Sequence, residues 1–240
     1  MLYPFFSKPQ QSSSVSQPSV SQPLPDFGSL DVPARKAEFF AYLRPIVAVV
    51  SSDVDEERAF VLETKARIAA GKGLTGAQRA RVAALADRYD VDVEGDTPME
   101  TVLAHLAQRV DTIPTSLVLV QAATESGWGT SRFAVEANNL FGQRCYDTGC
   151  GLAPAGRTNP KFRVKAFASV EDSVRSYVHN INTHSHYVEF RRVRSAQRER
   201  GEPLGSIALA ATLGQYSERR LAYVSDIKAL IAQTGLAPHD

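Results

Sequence analysis

A chain of 240 residues, 43% of them hydrophobic and 22% charged, is long enough for one sizeable core, or for one domain with an appendage. Its formal net charge of +1 argues against nucleic acid as the principal partner. No apolar run reaches the roughly 18–20 residues that span a bilayer, so no transmembrane segment is expected, and the opening MLYPFF lacks the early positive charge and apolar stretch of a secretory signal.

Residues 1–30 are rich in Ser, Gln and Pro and repeat SVSQP at 14–18 and 19–23, the composition of a disordered tether. Asp31, with Pro33 close behind, opens a helix carrying Phe39, Phe40, Leu43, Ile46 and Val47, which Pro45 is expected to kink or end. A charged amphipathic helix follows over about 52–70 and stops at Gly71. Thr75 with Gln78, and Thr97-Pro98 with Glu100, are capping patterns that introduce two more helices. The helix over 114–126 is apolar around nearly its whole circumference, the mark of a core helix. Ser169 with Asp172 starts a long helix striped by Val170, Val174, Tyr177, Val178 and Ile181, and 204–213 and 217–233 supply the last helices. Between 141 and 168 glycines and prolines break the helical pattern, and the alternation of Phe162 and Val164 with Arg163 and Lys165 predicts a short half-exposed strand, half of a hairpin. The expected fold is mainly α, with a small β-hairpin or loop lobe: a tether over 1–30, an N-terminal helical extension over 31–110 and a functional domain over 111–235. A cleft between helices and such a lobe is a natural ligand site.

Chemistry concentrates in QAATESGWGTSRFAVEANNLFGQRC, residues 121–145. Glu125 ends the apolar helix and shares a face with Gln121 and Val118. Gly127 and Gly129 permit backbone conformations that a β-carbon forbids, and Trp128, the only tryptophan, stands between them. A carboxyl at the inner end of a buried helix beside an indole is desolvated, which raises its pKa and suits it to donate a proton as a general acid. The plainer alternative is a glutamate that bonds a loop amide. Asn138, Asn139 and Gln143 surround Leu140 and Phe141, and amides beside aromatics suit a sugar groove. They suit equally a helix C-terminus with Asn138 in a left-handed cap and Phe141 in the core.

Cys145 and Cys150, the only cysteines, are close enough for a small disulfide loop or can remain free thiols; the spacing does not decide. No metal site is expected, because His179, His184 and His186 do not share a helical face and lack acidic ligands at useful spacing. The run RRVRSAQRER over 191–200 reads as a solvated helix face, or as a patch that attracts anionic polymers.

These residues carry a resemblance. ESGWGTSRFA followed by NNLFG resembles the glucosaminidase-type peptidoglycan hydrolases of glycoside hydrolase family 73, known also as mannosyl-glycoprotein endo-beta-N-acetylglucosaminidase-like domains. The likeness extends to the Bax-type bacterial members through DVPARKAEFFAYLRPIV, VDTIPTSLVLVQAATESGWGTSRFA, NNLFGQRCY and SVRSYVHNINTHSHY, covers roughly 31–233, and is most specific over 113–146. It implies a lysozyme-like helical fold with a small β-lobe across a glycan groove, and cleavage of the β-1,4 bond between N-acetylglucosamine and N-acetylmuramic acid. It implies Glu125 as the catalytic acid, Tyr187 as an aromatic near it, and Gln121, Trp128, Asn139, Phe141, Gln143 and Tyr146 along the groove. It further implies a bonded Cys145–Cys150 pair at the groove mouth, action in the periplasm or cell envelope as a monomer on glycan strands, and no cofactor. One departure stands out: glycosidases usually pair the acid with a second carboxylate, yet the lobe offers only Asp147, inside the cysteine loop, with Glu136 nearby in sequence. Two rivals therefore accompany the hydrolase, a glycan-binding protein of the same fold without turnover and an enzyme that cuts peptidoglycan amide bonds.

Overall fold

The computed structural model describes residues 23–93, 95, 97–154, 161–217 and 219–236. The Ser/Gln/Pro repeats and residues 155–160 lie outside them. A 3-10 turn over Phe27–Ser29 comes first and buries Phe27. It leads into α1, Val32–Ala69, which Asp31 caps by accepting from the Ala34 amide at 2.9 Å.

Pro45, expected to kink or end the helix, does not end it: α1 continues through it for 38 residues. The proline forfeits one helical bond and clashes with the preceding turn, at about 3 kcal/mol. On either side of it Leu43, Ile46, Val47 and Val50 stay on one buried face, and burying each contributes about 1.5–3 kcal/mol. Tertiary burial outweighs the local rule.

Helix α2, Gly76–Arg88, begins with the full reciprocal capping box of Thr75 and Gln78. Helix α3, Met99–Arg109, has Pro98 at its N-cap and Glu100 in its first turn, where the helix dipole favours a carboxylate. With the far half of α1, these helices enclose a small core of Val61, Val82, Leu85, Leu103 and Leu106. The near half of α1 belongs to a larger core built on α4, Thr115–Ser126. There Leu117, Leu119 and Val120 meet Phe39 and Leu43 of α1 and residues from the C-terminal helices.

After α4 come α5, Arg132–Ala137, and a three-stranded antiparallel sheet of β1, Arg144–Cys145, β2, Gly151–Leu152, and β3, Arg163–Lys165. The strand order is β1-β3-β2, with Arg144 opposite Val164 and Gly151 opposite Lys165. The half-exposed strand expected around Val164 is the central one, and Val164 is its buried residue. Gly151 is obligatory, since a β-carbon there would meet the Val164 carbonyl oxygen at 1.9 Å. The chain finishes with α6, Val170–Thr183, α7, Val188–Glu199, α8, Ser206–Ala210, and α9, Leu221–Thr234. Ser169 caps α6 as its sequence predicts, accepting from the Asp172 amide.

The arginine run behaves differently from a solvated face. Arg191 and Arg194 are buried, and Arg194, fully so, donates to the main-chain carbonyls of Gln108, Arg109, Asp111 and Thr112 and to Asn182. Asp111, also buried, takes ion pairs from Arg58 at 3.2 Å and Arg198 at 2.8 Å. Guanidinium donors thus satisfy the orphan carbonyls at the end of α3 and pin α7 to it. No helix among the described residues is long and apolar enough to cross a membrane. The arrangement is a mainly helical, lysozyme-like fold with a small antiparallel sheet.

Candidate active site

Glu125 is placed by the way α4 ends. Gly127, Trp128 and Gly129 all take the left-handed conformation, with φ of 59°, 60° and 77°. The amides of Gly127 and Trp128 both bond the Ala123 carbonyl, and the Gly129 amide donates to the Ser126 hydroxyl at 2.8 Å. Trp128 carries the cost that a side chain incurs at positive φ. Its ring is held edge-on by Phe39 and Phe40, with centroids 6.0 and 5.2 Å away, and the Lys36 ammonium lies 5.1 Å from the ring centroid. Gly129 is crowded from below by Phe27, whose Cδ2 would lie 2.6 Å from a β-carbon there.

Around the glutamate stand four tyrosines from the C-terminal half, Tyr177, Tyr187, Tyr216 and Tyr223, each buried. Tyr216 and Tyr223 stack at 5.4 Å with planes 7° apart, and Phe141 stacks on Tyr177 at 4.2 Å. A directed relay runs through them. The Tyr177 hydroxyl donates to Gln121 Oε1, Gln121 Nε2 donates to the Tyr223 oxygen at 2.9 Å, and Tyr223 hydrogen-bonds the Glu125 carboxyl. With its oxygen occupied by Gln121, the Tyr223 hydroxyl is the donor, so one Glu125 oxygen is an acceptor and the proton of the neutral acid belongs on the other.

Burial pushes the Glu125 carboxyl up from an ordinary 4.5 to about 7, with the Tyr223 hydrogen bond pulling partly back. The side chain is nonetheless half-buried rather than sealed, so an acid near neutrality remains within reach of solvent. Burial also pushes the Tyr177, Tyr187, Tyr216 and Tyr223 hydroxyls well up, and the charge of Glu125 adds to each. They act as neutral hydrogen-bonding groups.

The residues expected along a groove divide sharply. Trp128 and Tyr146 reach solvent, Tyr146 at the tip of the Cys145–Cys150 loop, which is closed by a disulfide. Gln121, Asn139, Phe141 and Gln143 are covered. Gln121 is the hub of the relay. Asn139 spends its amide on its own loop, donating to the Gln143 and Lys165 carbonyls at 2.9 and 2.8 Å and accepting from the Gln143 amide at 3.1 Å. Gln143 accepts from Ser173 of α6. Asn138 forms the left-handed cap of α5, and Phe141 lies in the core. Asn139 and Gln143 thus brace the loop that joins α5 to the sheet and to α6.

Tyr177, Tyr216 and Tyr223 are site residues that sequence reasoning did not single out. Tyr177 was legible only as part of an apolar stripe, and Tyr223 meets Gln121 from 102 positions away. Among the described residues no cluster of three His, Cys, Asp or Glu could hold a metal ion. No carboxylate among them contributes to the Glu125 shift, and Asp147 lies exposed in the disulfide loop while Glu136 pairs with Arg132 at 3.0 Å.

Comparison with known proteins accords with this geometry. No solved structure matches the chain. Protein bax of Escherichia coli (strain K12) is 36% identical over 195 residues, 79% of this chain and 66% of that protein, so the chain spans just under two thirds of its relative's length. The glucosaminidase profile, described as mannosyl-glycoprotein endo-beta-N-acetylglucosaminidase, matches residues 101–236, which hold the acid, its corner and its tyrosines. With more than half its length matched in this way, the chain belongs to the glucosaminidase family of glycan hydrolases.

Proposed function

We propose that this protein is a peptidoglycan hydrolase that cleaves the β-1,4 bond between N-acetylglucosamine and N-acetylmuramic acid, with Glu125 as its general acid. The observation that carries the reading is a reachable carboxyl held near neutrality, one oxygen fixed by Tyr223 and the other left to protonate a leaving oxygen. Trp128 and Tyr146 offer flat faces for pyranose rings at the rim. The substrate places the enzyme in the cell envelope, where it works as a monomer on glycan strands and needs no cofactor.

Asp147, exposed in the disulfide loop, is the one acid between 141 and 168, which favours routes that need no paired carboxylate from the lobe. The acetamido oxygen of the substrate attacks the anomeric carbon, or a water held near Tyr187 does so. The same shortage favours a second reading, a glycan-binding protein that keeps the groove and lacks turnover. Digestion of purified peptidoglycan separates them. Wild type releases new reducing ends and Glu125→Gln loses roughly 10³-fold in rate; cosedimentation of both proteins with intact polymer and no new ends from either establishes the binder. Mass spectra in which products carry new amine and carboxyl termini without reducing sugar would move the reaction to an amide bond.

A further inference from the structure

Away from the glutamate, α3 and α7 face each other across a cavity of about 520 Å³. Its charged lining is lopsided: Arg109, Arg191 and Arg192 stand against one acid, the exposed Glu199. Arg192 is committed to Glu189. Arg109 and Arg191 have no carboxylate partner among the described residues. Arg109 donates to the Tyr89 carbonyl at 2.7 Å, and Arg191 spends Nη1 on the carbonyls of Ile181 and His184, both at 2.9 Å. The remaining Arg191 donors have no hydrogen-bond partner among the described residues.

Burial, then repulsion from Arg109 and Arg194, push the Arg191 guanidinium down to about 10. Two cations therefore line one cavity from two helices, and neither has a carboxylate partner among the described residues. Such an arrangement costs free energy that a bound oxyanion would return, and guanidinium forks match tetrahedral phosphate in both charge and geometry. The walls are fixed in advance, because Arg194 ties α7 to the last carbonyls of α3. The cavity is several times larger than one phosphate group needs, leaving room for the carbon units on either side of a diester.

We infer that this cavity binds a phosphate group of a phosphodiester polymer, gripped by Arg109 of α3 and Arg191 of α7. The inference is independent of the role of Glu125, and Glu125→Gln retains the binding.

Isothermal titration of the full chain with oligo(glycerol phosphate), and separately with inorganic phosphate, tests it. Arg109→Gln removes one grip. Ser195→Glu, on the cavity wall of α7, adds a competing negative charge without removing either arginine. The oligomer binds wild type at low salt, binding weakens as salt screens the charges, and both variants, folded by circular dichroism, bind at least about tenfold more weakly. Saturable binding of inorganic phosphate, lost in Ser195→Glu, also supports the site and makes the free ion its ligand. No heat from either probe, or a folded Ser195→Glu that binds as wild type does, overturns it.

Discussion

A single hydroxyl tunes the acid. Tyr223 stabilises the ionised form of Glu125, so Tyr223→Phe raises the carboxyl further above 7. The alkaline limb of the rate profile on peptidoglycan then moves to higher pH, by up to about one unit; a variant that merely loosened packing would lose rate without moving the limb. The same carboxyl has a stability signature. Its folded value lies above its ordinary 4.5, so the folded state holds the proton more tightly. The stability it contributes is complete below about pH 4.5 and is lost as pH rises through 7. Glu125→Gln escapes that loss and gains about 3 kcal/mol over wild type at pH 8, against little difference at pH 4. Urea titrations at the two pH values check this, and an equal effect at both would show that Glu125 is not desolvated.

At the scale of elements, two junctions decide whether the site is held in place. Gly129 closes the corner at positive φ with Phe27 against it, so Gly129→Ala combines backbone strain with overpacking and costs about 2–4 kcal/mol in chemical denaturation. Arg194→Met leaves Asp111 and a cluster of buried carbonyls short of partners and costs about 3–5 kcal/mol, measured as a lower thermal midpoint. The corner was legible in the sequence because its causes are local: an apolar helix, a glutamate at its end and glycines two apart. Pro45 misled because a local propensity lost to burial on both sides of it. The arginine run misled because the carbonyls that draw Arg194 inward come from the end of α3 and the turn after it, more than 80 residues away, a separation a linear reading does not register. Asn139 and Gln143 were read as ligand donors because an amide that braces its own loop has the same composition as one that meets a sugar. Tyr177, Tyr216 and Tyr223 were invisible for a related reason, since they converge on Gln121 and Glu125 only in the folded chain.

At the scale of the whole molecule, one helix threads two hydrophobic cores among the described residues. Phe39, Leu43 and Val47 anchor α1 in the larger core, and Val61 anchors it in the smaller. Damage to either is expected to be felt in both. Leu106→Ala, buried in the small core, costs about 2–4 kcal/mol and shifts the Trp128 fluorescence transition together with the far-ultraviolet one; separated transitions would mean that the cores melt independently. The shared helix also bears on how small the working protein can be made. The matched segment 101–236 carries the acid, its corner and its tyrosines, yet expressed alone it would leave Leu117, Leu119 and Trp128 facing water where Phe39, Phe40 and Leu43 now lie. A working fragment is therefore expected to need α1 as well as the matched segment.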